Sequence, residues 1–169
     1  DICELLIRAD VDVLFYDKRY EQAIPAVKAA CPSVKMFAAL SGETENGLTV
    51  GAILDKYQPL VMSEEELPDE NTLAAILFTS GTTGKAKGVM LSHGNFIDNT
   101  FCCDNESTDK DVLLTVLPIH HVYCFTCDIL LSLRYGTTVC VNDSLMKVAQ
   151  NLKLFAPTII LLVPMIAAT

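Results

Sequence analysis

Eight consecutive positions, Ser80 to Lys87 (SGTTGKAK), hold two glycines, three hydroxylated residues and two lysines. Glycine lets a chain curl until successive N–H groups point at one spot, and neighbouring hydroxyl and ammonium groups add donors there. A concentration of donors of this kind suits a polyphosphate, whose oxygens each accept several hydrogen bonds. Thr79, Ser80, Thr82 and Thr83 would supply hydroxyls, and Gly81 and Gly84 the freedom to curl. The GxxxxGK[ST] phosphate loop does not fit. With Gly84-Lys85 as its GK, the first glycine falls on Thr79 and the final hydroxyl on Ala86. The apolar GVMLS that follows reads as a strand, whereas that loop opens directly into a helix.

A second group lies further on. Cys124-Phe-Thr-Cys127 is a CxxC, and His120, Cys124 and Cys127 would share one face of a helix. It sits in an apolar run with no matching second pair, so buried thiols are expected rather than zinc, and no metal site is assigned. His93 stands just before a helical pattern, where a helix-start or packing role is expected.

The stretch FTSGTTGKAKGV (Phe78 to Val89) closely resembles the [YF]TSGTTGxPKGV signature of the adenylate-forming superfamily, which includes acyl-CoA synthetases, luciferases and peptide-synthetase adenylation domains. It departs only at Ala86, where proline is usual, and the continuation MLSHGN is most similar to the acyl-CoA synthetase branch, in particular the long-chain fatty acid–CoA ligases. LPIHHVYCFT (Leu117 to Thr126) resembles a second family segment, in which a strand ends in LP and a histidine follows; that histidine is His121. Cys124 stands where many members have glycine, and FAPTIILLVPMI (Phe155 to Ile166) resembles the family's next strand and turn.

The resemblance implies an enzyme that joins a carboxylic acid to ATP, releasing pyrophosphate, and then passes the acyl group to CoA. It implies that Thr79, Ser80, Gly81, Thr82, Thr83, Gly84 and Lys87 hold the β- and γ-phosphates, with Lys85 facing solvent. It implies Lys87 and His121 as catalytic, His121 and Tyr123 at the acid pocket, and Mg2+ held largely by ATP and by residues missing from this piece, with CoA as co-substrate. Adenine, ribose and adenylate contacts have no counterpart in this chain. Amino-acid adenylation in a peptide synthetase is the alternative activity, and a non-catalytic fragment the other.

The elements that must position these residues follow from hydropathy. Short apolar runs predict strands over 11–16, 34–40, 73–79, 88–92, 112–117, 137–141 and 158–163. Helical spacing predicts helices over 21–30, 48–57, 95–103, 121–133 and, capped by Ser144, up to Phe155. Strands alternating with helices predict an α/β fold with mostly parallel sheets flanked by helices. Residues 1–62 form a leading βαβ part, the acidic SEEELPDENT (63–72) a linker, and 73–169 the part carrying the glycine-rich loop.

The 169 residues carry a net charge of −9, which argues against nucleic acid and anionic membranes as partners. The apolar content of 51% excludes intrinsic disorder. No apolar run reaches the roughly 18 residues of a membrane span, and the seven cysteines in apolar settings predict free thiols in a reducing cytoplasm. Both ends read as cuts within a longer chain: the first helix lacks a cap and the last strand stops inside an apolar run. Self-association through exposed apolar surface is expected of such a piece, and no thioester formation by it alone.

Overall fold

The computed structural model describes residues 2–79, 86–103 and 106–163. The chain divides between Leu67 and Pro68 into two compact units, inside the acidic stretch 63–72.

The first unit opens with α1 (Ile2–Arg8) and β1 (Val13–Tyr16). Asp17 then caps a 3-10 turn, its carboxylate accepting from the Arg19 amide at 2.9 Å, and the turn leads into α2 (Ile24–Ala30). Pro25 sits in the first turn of α2, where its missing N–H costs no helical bond. Strands β2 (Met36–Ala39) and β3 (Leu48–Thr49) complete a parallel sheet of order β1-β2-β3, followed by α3 (Val50–Lys56). Leu6, Tyr16, Ile24, Val27 and Phe37 fill the core between helices and sheet.

Two expectations need correction here. The helix predicted from Glu21 begins only at Ile24, because Asp17 tightens residues 18–23 into 3-10 form. The helix predicted from Leu48 begins at Val50: Leu48 and Thr49 pair with Ala38 and Ala39, and Thr49 Oγ1 caps the helix by accepting from the Ala52 amide at 3.0 Å.

The second unit starts with an antiparallel hairpin, β4 (Leu73–Thr79) and β5 (Lys87–Ser92), followed by α4 (His93–Cys102). A parallel sheet of order β7-β6-β8 comes next, from β6 (Val112–Thr115), β7 (Thr138–Val141) and β8 (Ile159–Ile160). The β6-to-β7 crossover is one continuous helical segment: α5 (Val122–Cys124), a π-helical stretch (Phe125–Leu130) and α6 (Leu131–Tyr135). Gly136 ends it with φ +73°, a left-handed geometry that a side chain would strain. After a 3-10 turn at Leu145–Lys147, α7 (Val148–Phe155) leads to β8.

The strand predicted over 158–163 is paired as a strand only at Ile159 and Ile160, opposite Leu113 and Leu114, with the Thr158 amide donating to Val112 O just before it. The helix predicted over 121–133 is present but wound wider than α for six residues, a departure the apolar spacing does not reveal.

Candidate functional site

The strand pattern LAAILFT runs without interruption to Thr79, and the antiparallel ladder closes with Thr79 directly opposite Lys87. Gly88 makes this end of the hairpin possible. A Cβ there would meet Ile76 Cγ2 at 3.1 Å and the Phe78 ring at 3.2 Å, so glycine lets Phe78 lie across the facing strand. Thr79 and the start of β5 from Lys87 to Met90 are exposed. Ser80, Gly81, Thr82, Thr83, Gly84 and Lys85 lie outside the described residues.

The far end of β5 turns into α4 through a reciprocal cap. Ser92 Oγ accepts from the Asn95 amide at 3.3 Å, and Asn95 Oδ1 accepts from the Ser92 amide at 3.0 Å. His93 N donates to Thr72 O and Gly94 N to Glu70 O, pinning the helix start against the entry to β4. The SHGN motif is thus a helix start, with His93 half-buried at its first position.

Beyond β6 the chain stays buried to Leu117, then turns at Pro118 and emerges with Ile119 to Tyr123 exposed. His121 caps the crossover helix: its Nδ1 accepts from the Tyr123 amide at 3.3 Å, and its backbone oxygen accepts from Phe125 at 2.9 Å. An imidazole that accepts at Nδ1 carries its proton on Nε2 when neutral, leaving Nε2–H free to donate. His121 and Tyr123 both border a cavity of about 750 Å³. Its walls include the apolar Val116, Leu117, Pro118 and Val163, and its polar groups come from Thr115 and residues 142–144. Tyr123 also borders a second cavity of about 570 Å³, between α4 and the π-helical stretch. The structure therefore groups the predicted residues as two pairs, Thr79 with Lys87 and His121 with Tyr123. No described residue of β4 or β5 borders the His121 cavity.

Behind His121 lies a group that the residue pattern did not single out. Asp128 is fully buried, and its Oδ2 lies 3.3 Å from Cys124 Sγ. Cys124 Sγ is also 3.3 Å from Thr115 Oγ1 and from the Leu117 carbonyl. Asp128 Oδ1 has no hydrogen-bonding partner among the described residues. Burial pushes the Asp128 carboxyl up, partly offset by hydrogen bonds with Thr115 and Cys124. The signal was an aspartate inside the apolar run HVYCFTCDILLSL, one helical turn beyond Cys124.

The CxxC is split. Cys124 belongs to the core, while Cys127 borders the second cavity together with Cys103, whose thiol is among the groups that raise the Cys127 pKa. Among the described residues no group of His, Cys, Asp and Glu could hold a metal ion.

Compared with solved structures, the chain has the fold of an adenylate-forming enzyme's N-terminal region. The apo structure of Mycobacterium smegmatis MbtA aligns with a TM-score of 0.82 at 22% identity, over 98% of this chain and 32% of that one. The AMP-binding enzyme family matches residues 1–169, and the chain belongs to that family.

Among curated relatives, a long-chain-fatty-acid–CoA ligase of Haemophilus influenzae is 34% identical over 138 residues, which is 75% of this chain and 23% of the relative. A 4-coumarate–CoA ligase of Solanum tuberosum is 33% identical over 109 residues, 58% of this chain and 20% of the relative. The chain spans no more than a quarter of the length of these relatives.

Proposed function

We propose that this chain supplies the triphosphate-gripping loop and part of the acid pocket of an ATP-dependent acyl-CoA ligase. The observation that carries the reading is the Thr79–Lys87 pair. It brings both ends of the glycine- and threonine-rich stretch onto one ladder rung, with Cα atoms about 5 Å apart as such pairs require. In this reading Thr79, Ser80, Gly81, Thr82, Thr83 and Gly84 surround the β- and γ-phosphates, and Lys87 acts as a point cation beside them. The acid's carboxylate oxygen attacks the α-phosphorus, and the bond to the β-phosphate oxygen breaks. Donors arranged beforehand stabilise the charge growing on pyrophosphate. The CoA thiol then attacks the acyl carbonyl and AMP departs.

His121 would offer its Nε2–H to the acid, and Tyr123 would form a wall of the acid pocket. Mg2+ would arrive on the phosphates and neutralise their charge. The acid we propose is a long-chain fatty acid, supported by the largely apolar cavity wall and by the Haemophilus relative. The 4-coumarate relative supports only the coarser statement of an acyl or aryl acid. The seven free thiols fit a cytoplasmic location, and no described helix is long and apolar enough to cross a membrane.

Acid-dependent exchange of pyrophosphate into ATP by the intact protein tests this. Long-chain fatty acids should support the highest kcat/KM, above aryl acids and amino acids. A preference for an amino acid would favour a peptide-synthetase role. No exchange with any acid would leave only the non-catalytic reading. Residues 1–169 alone should form no thioester.

A further inference from the structure

The second cavity has a feature that nucleotide chemistry does not use. Cys103, at the C-terminal cap of α4, and Cys127, in the π-helical stretch, stand in its wall from two different helices. Both are half-buried and border an open cavity of about 570 Å³. The two helices are held in register at this place. Phe96 of α4 and Phe125 of the π stretch meet edge to face at 5.6 Å, and Arg134 donates to the Thr100 carbonyl while lying over the Phe101 ring. Cys103 Sγ is also tied to Asn99 Oδ1 at 3.5 Å. The neighbouring thiols lack this arrangement: Cys124 is enclosed in the core, and Cys102 is exposed outside the cavity wall.

We propose that Cys103 and Cys127 form a dithiol modification site, which a low-molecular-weight disulfide oxidises to an intramolecular disulfide that pins the end of α4 to the π-helical stretch. The Cys103 thiolate, its proton lost to solvent, attacks one sulfur of the small disulfide. That S–S bond breaks, a mixed disulfide forms on Cys103, and one small thiolate leaves. Cys127 then loses its proton and attacks Cys103 Sγ, expelling the second small thiolate. Two protein thiols are oxidised, and one small disulfide is reduced to two thiols.

Burial, together with Cys103 and Asp128, pushes the Cys127 thiol up to about 11. A thiol raised in this way is a poor nucleophile at neutral pH, so closure by Cys127 is the slower step. Closure would narrow the cavity that Tyr123 also borders. The site stands whether or not the proposed ligase activity does.

The test uses the intact native protein and excess glutathione disulfide. Remaining thiols are alkylated, the protein is digested with trypsin, and the linked peptides are sequenced by fragmentation. The expected product joins Cys103 to Cys127. Cys102→Ser should still form it, Cys103→Ser should not, and Cys127→Ser should stop at a glutathione adduct on Cys103. A wild-type link from Cys127 to Cys102 or Cys124 would overturn the proposal. So would both thiols remaining free, a lasting glutathione adduct on Cys103 in the wild type, or equally fast Cys103–Cys127 linkage in urea. Because the readout is covalent mass, it is independent of whether the protein has ligase activity.

Discussion

Thr79 and Lys87 oppose one another on the terminal rung of the β4–β5 hairpin. Strand geometry therefore sets the backbone of both residues and the face onto which their side chains point. A lysine on a ladder rung loses less freedom on meeting an anion than one on a free loop, so more of its attraction survives as binding.

Replacing Lys87 tests that relationship. Lys87→Ala should slow pyrophosphate exchange by about 10- to 100-fold, as expected when one charge-assisted donor worth roughly 1.5–3 kcal/mol is lost. The melting temperature should hardly change, since the residue is exposed. Exchange at the wild-type rate would remove Lys87 from the mechanism.

His121 has a capping role and, in our reading, a pocket role, and two substitutions separate them. His121→Ala should lower stability by about 1 kcal/mol, the usual cost of a lost helix cap. His121→Asn should keep the cap and most of the stability but change KM for the acid. Unchanged acid kinetics in the asparagine variant would reduce His121 to a cap.

Asp128 makes a prediction about pH. Burial raises its folded-state pKa above the unfolded 3.8, so the native state favours the protonated form. Its contribution is fully present below the unfolded value and is lost as pH rises through the folded one. Asp128→Asn, of equal size and always neutral, should gain on the wild type as pH rises toward 7 in urea melts. The gap should close near pH 4. A gap that does not vary with pH would contradict the assignment.

In the first unit Glu21 behaves in the opposite way. Partial burial works to raise its pKa, but hydrogen bonds from Asn46, Thr44, Tyr16 and the Glu45 amide outweigh that and bring it to about 2, from 4.5. The stabilisation is present above 4.5 and is lost as pH falls toward 2. Glu21→Gln should therefore speed hydrogen exchange at the Glu45 and Asn46 amides at pH 6, with the difference from wild type shrinking in acid. Equal protection at pH 6 would show that the carboxylate does not hold this loop.

Much of the architecture was legible in the residue order because it is local. Leu73–Thr79 is a strand to the residue, since seven apolar or β-prone positions end at a glycine-rich break. Gly136 and Ser144 mark a helix end and a turn start through their own backbone preferences. The glycine-threonine signature announced the family, since donor type and spacing are written in the chain itself. What tertiary structure alone decided depends on partners far apart in sequence. Leu48 and Thr49 became a strand because Ala38 and Ala39 lay open beside them. Cys127 left its CxxC neighbour for Cys103 because α4 packs against the π-helical stretch. Asp128 became an enclosed acid only when the crossover helix that carries it packed against β6, since burial is a property of the assembled fold rather than of any one residue.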